Sequence, residues 1–406
     1  MKRLIEKEAK YLANNYKTYP LTLTKGKDIF LYDATGKRYY DFMAGYSAVN
    51  QGHCHPRIVN SLIQQSQELT LCSRAFGNDK LAEYSEYICN LLGYEKILPT
   101  NTGVEAGETA VKLARSWAYN VKKIDKYKAK IIFAENNFWG RTITAASSSS
   151  DPLAYENFGP FTPGFIKVPY NNISAIADLL ANDENICAIM LEPIQGEAGI
   201  IIPDKDYLKK VKKLCQMFDV LLICDEVQTG LGRMGSLLAS HYFDVNPDIL
   251  LLGKALSGGM FPVSALLANN DVMKCMYPNT HGSTFGGNPL ASVVAMESIK
   301  TIIEENMIEN SKINGAIFKY ELDLICKSWS ILKKDKIKDV RGLGLMNAIE
   351  FNSDETANKF VNLLIQNGIL TKVTKENTVR LTPPLTLKEY HSNRSLEIIE
   401  NVLKQL

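Results

Sequence analysis

Asp225 and Lys254 are the two residues of this chain whose types and settings together could do chemistry. Asp225 closes the apolar run Val220-Leu-Leu-Ile-Cys224, and Lys254 follows the run Ile249-Leu-Leu-Leu252 after Gly253. Both runs are too short for buried helices and read as core strands. A carboxylate and an amine then stand just past two strand ends, where open α/β sheets build ligand sites. Lys254 is the only charged residue from Ile249 to Asn270. Its amine is therefore expected to be desolvated, which lowers its pKa and makes it nucleophilic. A cofactor that uses both groups is pyridoxal phosphate, whose aldehyde condenses with a lysine and whose ring nitrogen needs a carboxylate partner. A helix cap for the aspartate and a surface charge for the lysine remain open alternatives at this point.

Four further segments bear on the choice. Asn101-Thr-Gly-Val-Glu-Ala106 fits a capping box, with Thr102 and Glu105 opening a helix that runs to about residue 119. Such a helix start offers free N–H groups and a positive dipole end to a phosphate. His281-Gly-Ser-Thr-Phe-Gly-Gly-Asn288 places the hydroxyls of Ser283 and Thr284 in a Gly-rich loop, either a tight turn or a second set of phosphate ligands. Glu135-Asn-Asn-Phe-Trp-Gly-Arg141 follows a strand; Phe138 could stack on a flat ring, and Arg141 could grip a carboxylate through two hydrogen bonds. Glu192-Pro-Ile-Gln-Gly-Glu197 puts two carboxylates in another loop past a strand.

Two other patterns read as structural. Gly230-Leu-Gly-Arg-Met-Gly235 is a literal G-x-G-x-x-G, and as a dinucleotide fingerprint it would make the chain an NAD-dependent oxidoreductase. The fingerprint wants its glycines at the strand end. Here residues 225–229 intervene, and Asp225 would direct a negative charge at the pyrophosphate. His53-Cys-His55 lacks a second Cys/His cluster at zinc spacing, and Pro56 suggests a turn entering a helix.

The elements that must position these residues follow a clear alternation. Residues 1–50 contain a short helical stretch and then two alternating runs around a Gly36 turn, which predict a hairpin. From about 51 to 290, apolar runs at 130–134, 186–191, 220–224, 249–252 and 263–268 alternate with helical patterns, predicting an α/β domain with a mostly parallel sheet. Residues 291–406 read as a smaller α+β C-terminal domain. At 406 residues, division into two or three domains is expected.

Composition excludes several classes. The 46% hydrophobic and 22% charged fractions are those of an ordinary globular protein. A net charge of +2 with interleaved signs leaves no footprint for nucleic acid or an anionic membrane. The lysine clusters at 122–130 and 333–338 contain Asp125 and Asp335 and read as solvated faces. No apolar run approaches the ~20 residues of a membrane span. The N-terminus has neither a secretory core nor a transit-peptide composition, so a cytoplasmic location is expected. Eight scattered cysteines without a C-x-x-C read as reduced thiols.

Taken in order, these pieces resemble the subgroup III aminotransferases of the fold type I PLP-dependent family. The matching segments are Tyr46-Ser-Ala-Val-Asn-Gln-Gly-His-Cys-His-Pro56, Asn101-Thr-Gly-Val-Glu-Ala-Gly-Glu-Thr109, Asn137-Phe-Trp-Gly-Arg141, Glu192-Pro-Ile-Gln-Gly-Glu-Ala-Gly199, Asp225-Glu-Val-Gln-Thr-Gly230, Leu251-Leu-Gly-Lys-Ala-Leu-Ser-Gly-Gly259 and His281-Gly-Ser-Thr-Phe-Gly-Gly-Asn-Pro289. Arg380 in Val-Arg-Leu-Thr-Pro-Pro extends the match into the C-terminal region. Departures such as Val227 and Phe285 fall beside the functional positions.

The resemblance implies a role for each residue. Lys254 holds the cofactor and shuttles a proton, Asp225 pairs with the ring nitrogen, Gln228 bonds the ring's phenolic oxygen, and Phe138 stacks on the ring. Gly103 and Val104 bind the phosphate, with Ser283 and Thr284 completing the cup from a partner subunit, so a homodimer is implied. Tyr16 and Tyr46 line the substrate channel, Arg141 binds a substrate carboxylate, and Arg380 is masked by Glu197. The Tyr46 and Phe138-Trp139 segments favour subgroup members that move the δ-amino group of L-ornithine to 2-oxoglutarate, giving glutamate 5-semialdehyde, which cyclises to pyrroline-5-carboxylate, and glutamate. Acetylornithine and 4-aminobutyrate are the alternative donors.

Overall fold

The computed structural model describes residues 2–333 and 336–406. Its strands, in chain order, are β1 (Leu23–Lys27), β2 (Phe30–Asp33), β3 (Arg38–Asp41), β4 (Lys96–Thr100), β5 (Lys130–Ala134), β6 (Phe165–Val168), β7 (Ile186–Leu191), β8 (Leu221–Asp225), β9 (Ile249–Leu252), β10 (Ser264–Ala268), β11 (Ile337–Leu343), β12 (Met346–Phe351), β13 (Ile369–Leu370), β14 (Val373–Thr374) and β15 (Thr378–Leu381).

The central sheet has the order β4-β10-β9-β8-β7-β5-β6. β5, β6, β7, β8 and β9 pair in parallel, whereas β10 runs antiparallel to both β4 and β9. β7, β8, β9 and β10 are buried throughout, which is why they read as unbroken apolar runs rather than alternating ones. Separate apolar clusters cover the sheet. One centres on the Gly103–Trp117 helix and includes Ile131, Phe133 and Leu251. Another joins Ile132, Ile189 and Leu222 to the helices Ile173–Asn182 and Tyr207–Met217.

The expected hairpin forms from β2 and β3, which pair antiparallel across the Gly36 turn. It does not stand apart. β13, far along the chain, adds to it in parallel, pairing Ile369 with Tyr40 and Leu370 with Asp41. The C-terminal sheet, β11-β12-β15-β14, is antiparallel. One continuous core runs from Ile29 and Phe42 through Ala295 and Phe318 to Val379 and Leu403, so the hairpin and the C-terminal helix share a core with the large sheet.

One expectation changes here. Lys122 is no solvated charge: its ammonium donates to the carbonyls of Ile186, Phe218 and Asp219 at 3.0, 2.9 and 2.7 Å. Of the second lysine cluster, residues 334 and 335 lie outside the described residues. All eight cysteines are free thiols.

Candidate active site

The loops that leave the carboxyl ends of β4, β5, β7, β8 and β9 converge on one cavity of about 180 Å³. Asp225 is the last residue of β8, and Lys254 sits two positions past β9, at the start of the short turn Lys254–Ser257. Both line the cavity. Lys254 takes a left-handed backbone conformation, φ 43°, unfavourable for a side chain with a Cβ and held by the packed strand beneath it. Burial pushes its amine below the usual lysine range, with Glu197 and Asp225 nearby opposing that shift. Burial pushes the Asp225 carboxyl up to about 6. It accepts the Val227 N–H at 3.0 Å and makes no ion pair among the described residues.

The capping box forms as the sequence predicts. Thr102 Oγ1 accepts the Glu105 N–H, and the Glu105 carboxylate accepts the N–H groups of Thr102 and Asn101. The next two helical N–H groups, those of Gly103 and Val104, are left facing the cavity. A Cβ at Gly103 would stand 2.8 Å from Val227 Cγ1. Val227 is thus part of the site wall and not a bystander beside it.

Phe138 lines the same cavity, and Glu192 holds it there. Glu192 accepts the Phe138 N–H at 3.0 Å on one oxygen and the Gly196 N–H at 3.2 Å on the other, tying the loop after β5 to the loop after β7. Burial, and then the neighbouring Asp225, raise its carboxyl to about 8. Trp139 has a different task. It is buried, stacks on Phe133 at 5.9 Å, and donates Nε1–H to Ser148 Oγ at 2.8 Å. Nothing in the residue pattern separates Glu192 from an ordinary loop carboxylate.

Arg380, on β15 and almost fully buried, reaches in from the C-terminal sheet. It makes a bidentate pair with Glu197, 2.8 Å to Oε1 and 3.0 Å to Oε2. Burial alone would raise the Glu197 pKa, but Arg380 beside it holds the carboxyl at about 2. Gln228 joins this pair: its amide nitrogen donates to Glu197 at 3.2 Å, and its oxygen accepts from Arg380 at 3.3 Å. Within the chain Gln228 therefore belongs to the arginine cluster as well as to the cavity wall. Tyr46, with φ 60°, lays its ring beside the Arg380 guanidinium at 5.3 Å.

Tyr16 and Arg141 meet in a second, larger cavity of about 870 Å³. Arg141 also lies over the Phe138 ring at 5.5 Å, so the two cavities adjoin at Phe138. Ser283 and Thr284 do not reach either space. They line a separate shallow depression with Asn101 and Phe285, where the Ser283 hydroxyl is engaged by the Asn101 amide at 3.0 Å and the Gly286 N–H at 2.9 Å. A single chain thus carries the Gly103/Val104 half of the expected phosphate cup and lacks the hydroxyl half.

Both glycine and histidine patterns sit in packing contacts. Arg233, inside the 230–235 glycine run, is wholly buried and donates to the carbonyls of Leu345 and Pro383, while a Cβ at Gly232 would stand 2.9 Å from Leu385. The run is a packing joint against the C-terminal part of the chain, and among the described residues no helix of nucleotide-cradling length begins there. His53 pairs with Asp41 at 2.7 Å, and His55 with Glu305 at 3.1 Å. No metal-holding cluster occurs among the described residues.

The donor set can be tested against pyridoxal phosphate directly. A buried amine that makes no hydrogen bond among the described residues, a buried carboxylate across the same cavity, a flat aromatic wall and two free helix-start N–H groups are complementary to an aldehyde, a ring nitrogen, a ring face and a phosphate. Fold and site together define a PLP-dependent transferase. The family description "Aminotransferase class-III" matches residues 11–403, and the chain belongs to that family. It is 52% identical over 397 residues to the mitochondrial ornithine aminotransferase of Drosophila melanogaster, covering 98% of this chain and 90% of that one. An ornithine aminotransferase structure from Toxoplasma gondii, with PLP at partial occupancy in its active site, superposes with a TM-score of 0.96 at 44% identity, covering 99% and 94% of the two chains. An acetylornithine aminotransferase structure from Elizabethkingia anophelis gives 0.90 at 46% identity, covering 100% and 99%.

Proposed function

We propose that this protein moves the δ-amino group of L-ornithine to 2-oxoglutarate, forming glutamate 5-semialdehyde and glutamate. The observation that carries this reading is the Arg380–Glu197 pair. A carboxylate-binding arginine stands beside the reacting lysine but is already occupied, while a second arginine, Arg141, waits in an adjoining cavity. An amine donor whose carboxylate lies far from the transferred nitrogen suits the first state. A keto acid whose carboxylate adjoins the reacting carbon suits the second, in which it displaces Glu197.

PLP, when bound, withdraws electrons from the substrate carbon and so makes its proton labile. The chain supplies the rest. Gly103 and Val104 N–H groups would hold the phosphate, Phe138 and Val227 would wall the ring, and Asp225 would keep a proton on the ring nitrogen; all five line the cavity. Lys254, its pKa lowered by burial, would take a proton from the substrate carbon that bears the amine and deliver it to the cofactor's aldehyde carbon on the other side of the shared nitrogen. Arg380 and Arg141 orient the two ends of 2-oxoglutarate; Tyr16 and Arg141 hold the far end of ornithine. The phosphate cup is completed by Ser283 and Thr284 of a second copy, which makes the working unit a homodimer.

The test is a donor panel with 2-oxoglutarate as acceptor, trapping pyrroline-5-carboxylate. Ornithine should exceed acetylornithine and 4-aminobutyrate in kcat/KM by about tenfold or more, because the first carries an acylated α-amine and the second lacks the α-amine at the far end, and a site that hydrogen-bonds a polar group rejects analogues without it. A higher value for acetylornithine would replace this reading with the activity of the Elizabethkingia relative.

A further inference from the structure

The strand-turn segment from β13 to β15 touches the site at four points. Arg380 pairs with Glu197; Thr374 donates to the Glu197 carbonyl at 3.0 Å; Lys375 donates to Asn136 Oδ1 at 2.8 Å. The fourth is Lys372. Its ammonium lies 3.2 Å from the Tyr46 hydroxyl and 4.9 Å from the Tyr46 ring centre, and its backbone carbonyl accepts the Arg380 N–H at 3.4 Å. Lys372 also lines the large cavity that holds Tyr16 and Arg141.

The charge in that cavity is one-sided. Lys17, Arg141 and Lys372 line it, and no carboxylate among the described residues does. Among the described residues none of the three makes an ion pair, although nineteen ion pairs form elsewhere on the molecule. A concave surface lined by one sign of charge concentrates the opposite sign. The Tyr46 contact sharpens the point. A lysine ammonium can only donate, so the Tyr46 oxygen is the acceptor and its own proton is free to be donated onward. Lys372, which lines the same cavity as Arg141, thus forms with Tyr46 a two-donor set complementary to the oxygens of a carboxylate.

Resting on the ornithine reading, we infer that Lys372 is a substrate-binding residue. With Arg141 it recognises the carboxylate at the end of the substrate remote from the transferred amine, the α-carboxylate of ornithine and the distal carboxylate of 2-oxoglutarate. It thereby helps select donors that carry a distal carboxylate over plain diamines.

The experiment compares L-ornithine with L-ornithinamide, which keeps the chain and both amines but loses the negative charge. It uses the PLP-loaded enzyme and its Lys372→Met and Lys372→Arg variants. In Lys372→Met the KM for ornithine should rise about tenfold, with kcat changing far less, as for loss of a charge-assisted interaction made equally in ground and transition states. The KM for ornithinamide should stay within about twofold. Lys372→Arg, which keeps the charge, should hold most of the affinity for ornithine. An equal rise for ornithine and ornithinamide would show that Lys372 only shapes the wall through Tyr46 and would overturn the inference, as would an unchanged ornithine KM. If the unaltered enzyme ignores ornithine, the donor reading fails by itself. Lys372 is then judged on 2-oxoglutarate, whose KM the Met variant must raise.

Discussion

On the proposed reading, Glu197 is where a single side chain decides between two substrates. Its carboxylate is held at about 2 by Arg380 despite being buried, so the pair stays ionised and intact until another carboxylate competes for the guanidinium. An exchange of one bidentate partner for another costs little, and specificity then rests on the difference between two pairings. Glu197→Ala should leave Arg380 permanently open. The variant should accept the amino group of glutamate about tenfold faster and use ornithine about tenfold more slowly, the size expected for making or breaking one charge-assisted hydrogen-bonded pair. Each half-reaction can be followed through the cofactor absorbance. Equal slowing of both would reduce Glu197 to a structural support. At this scale the sequence was readable wherever a residue sits at a strand end: Asp225 and Lys254 carry their position in the apolar runs before them. Lys372 carries no such mark, because only the fold brings residues 46 and 372 together. Glu192 was visible as a loop carboxylate, but not as the tie between Phe138 and Gly196.

The elements show a similar division. Buried strands of the central sheet announce themselves as unbroken apolar runs, and the Thr102/Glu105 box announces its helix. The pattern was silent about direction: β10 is as apolar as its neighbours yet runs antiparallel. β4 escaped notice because it is a sheet-edge strand with Pro99 in it and a half-exposed face. Its importance is that it delivers the chain to the helix start that faces the cavity, and there the fit is tight. Gly103→Ala would drive a methyl group to 2.8 Å from Val227 Cγ1. One of the two must yield, moving either the phosphate-facing N–H groups or the cavity wall. The substitution should weaken PLP retention about tenfold, measured by spectral titration of the stripped enzyme, and Gly103→Ala with Val227→Ala together should recover much of it, since contacting residues couple by ~1 kcal/mol or more. Additive losses would mean that the close approach does not set cofactor affinity.

At the scale of the whole molecule, a single chain brings both arginines, the lysine and the carboxylates together but, on the proposed reading, leaves its phosphate cup half built. Ser283 and Thr284 line an outward-facing depression, with the exposed Phe285 beside them and Tyr277 nearby in sequence, also exposed. Large apolar side chains held at a surface are what a second copy would cover. If each cup is shared, a chain lacking Lys254 can still lend its hydroxyls, and a chain lacking the hydroxyls can still use its own lysine. Mixing Lys254→Ala with Ser283→Ala/Thr284→Ala, each close to inactive alone, should therefore restore activity. Random exchange makes half the dimers hybrid, each with one sound site of two, so recovery should approach about a quarter of the unaltered enzyme under twofold symmetry. Two different affinity tags, captured in series, would isolate the hybrids and raise that figure to about half. Hybrids that form and stay inactive would place the whole cup within one chain, leaving the hydroxyls of residues 283 and 284 with no part in holding the cofactor.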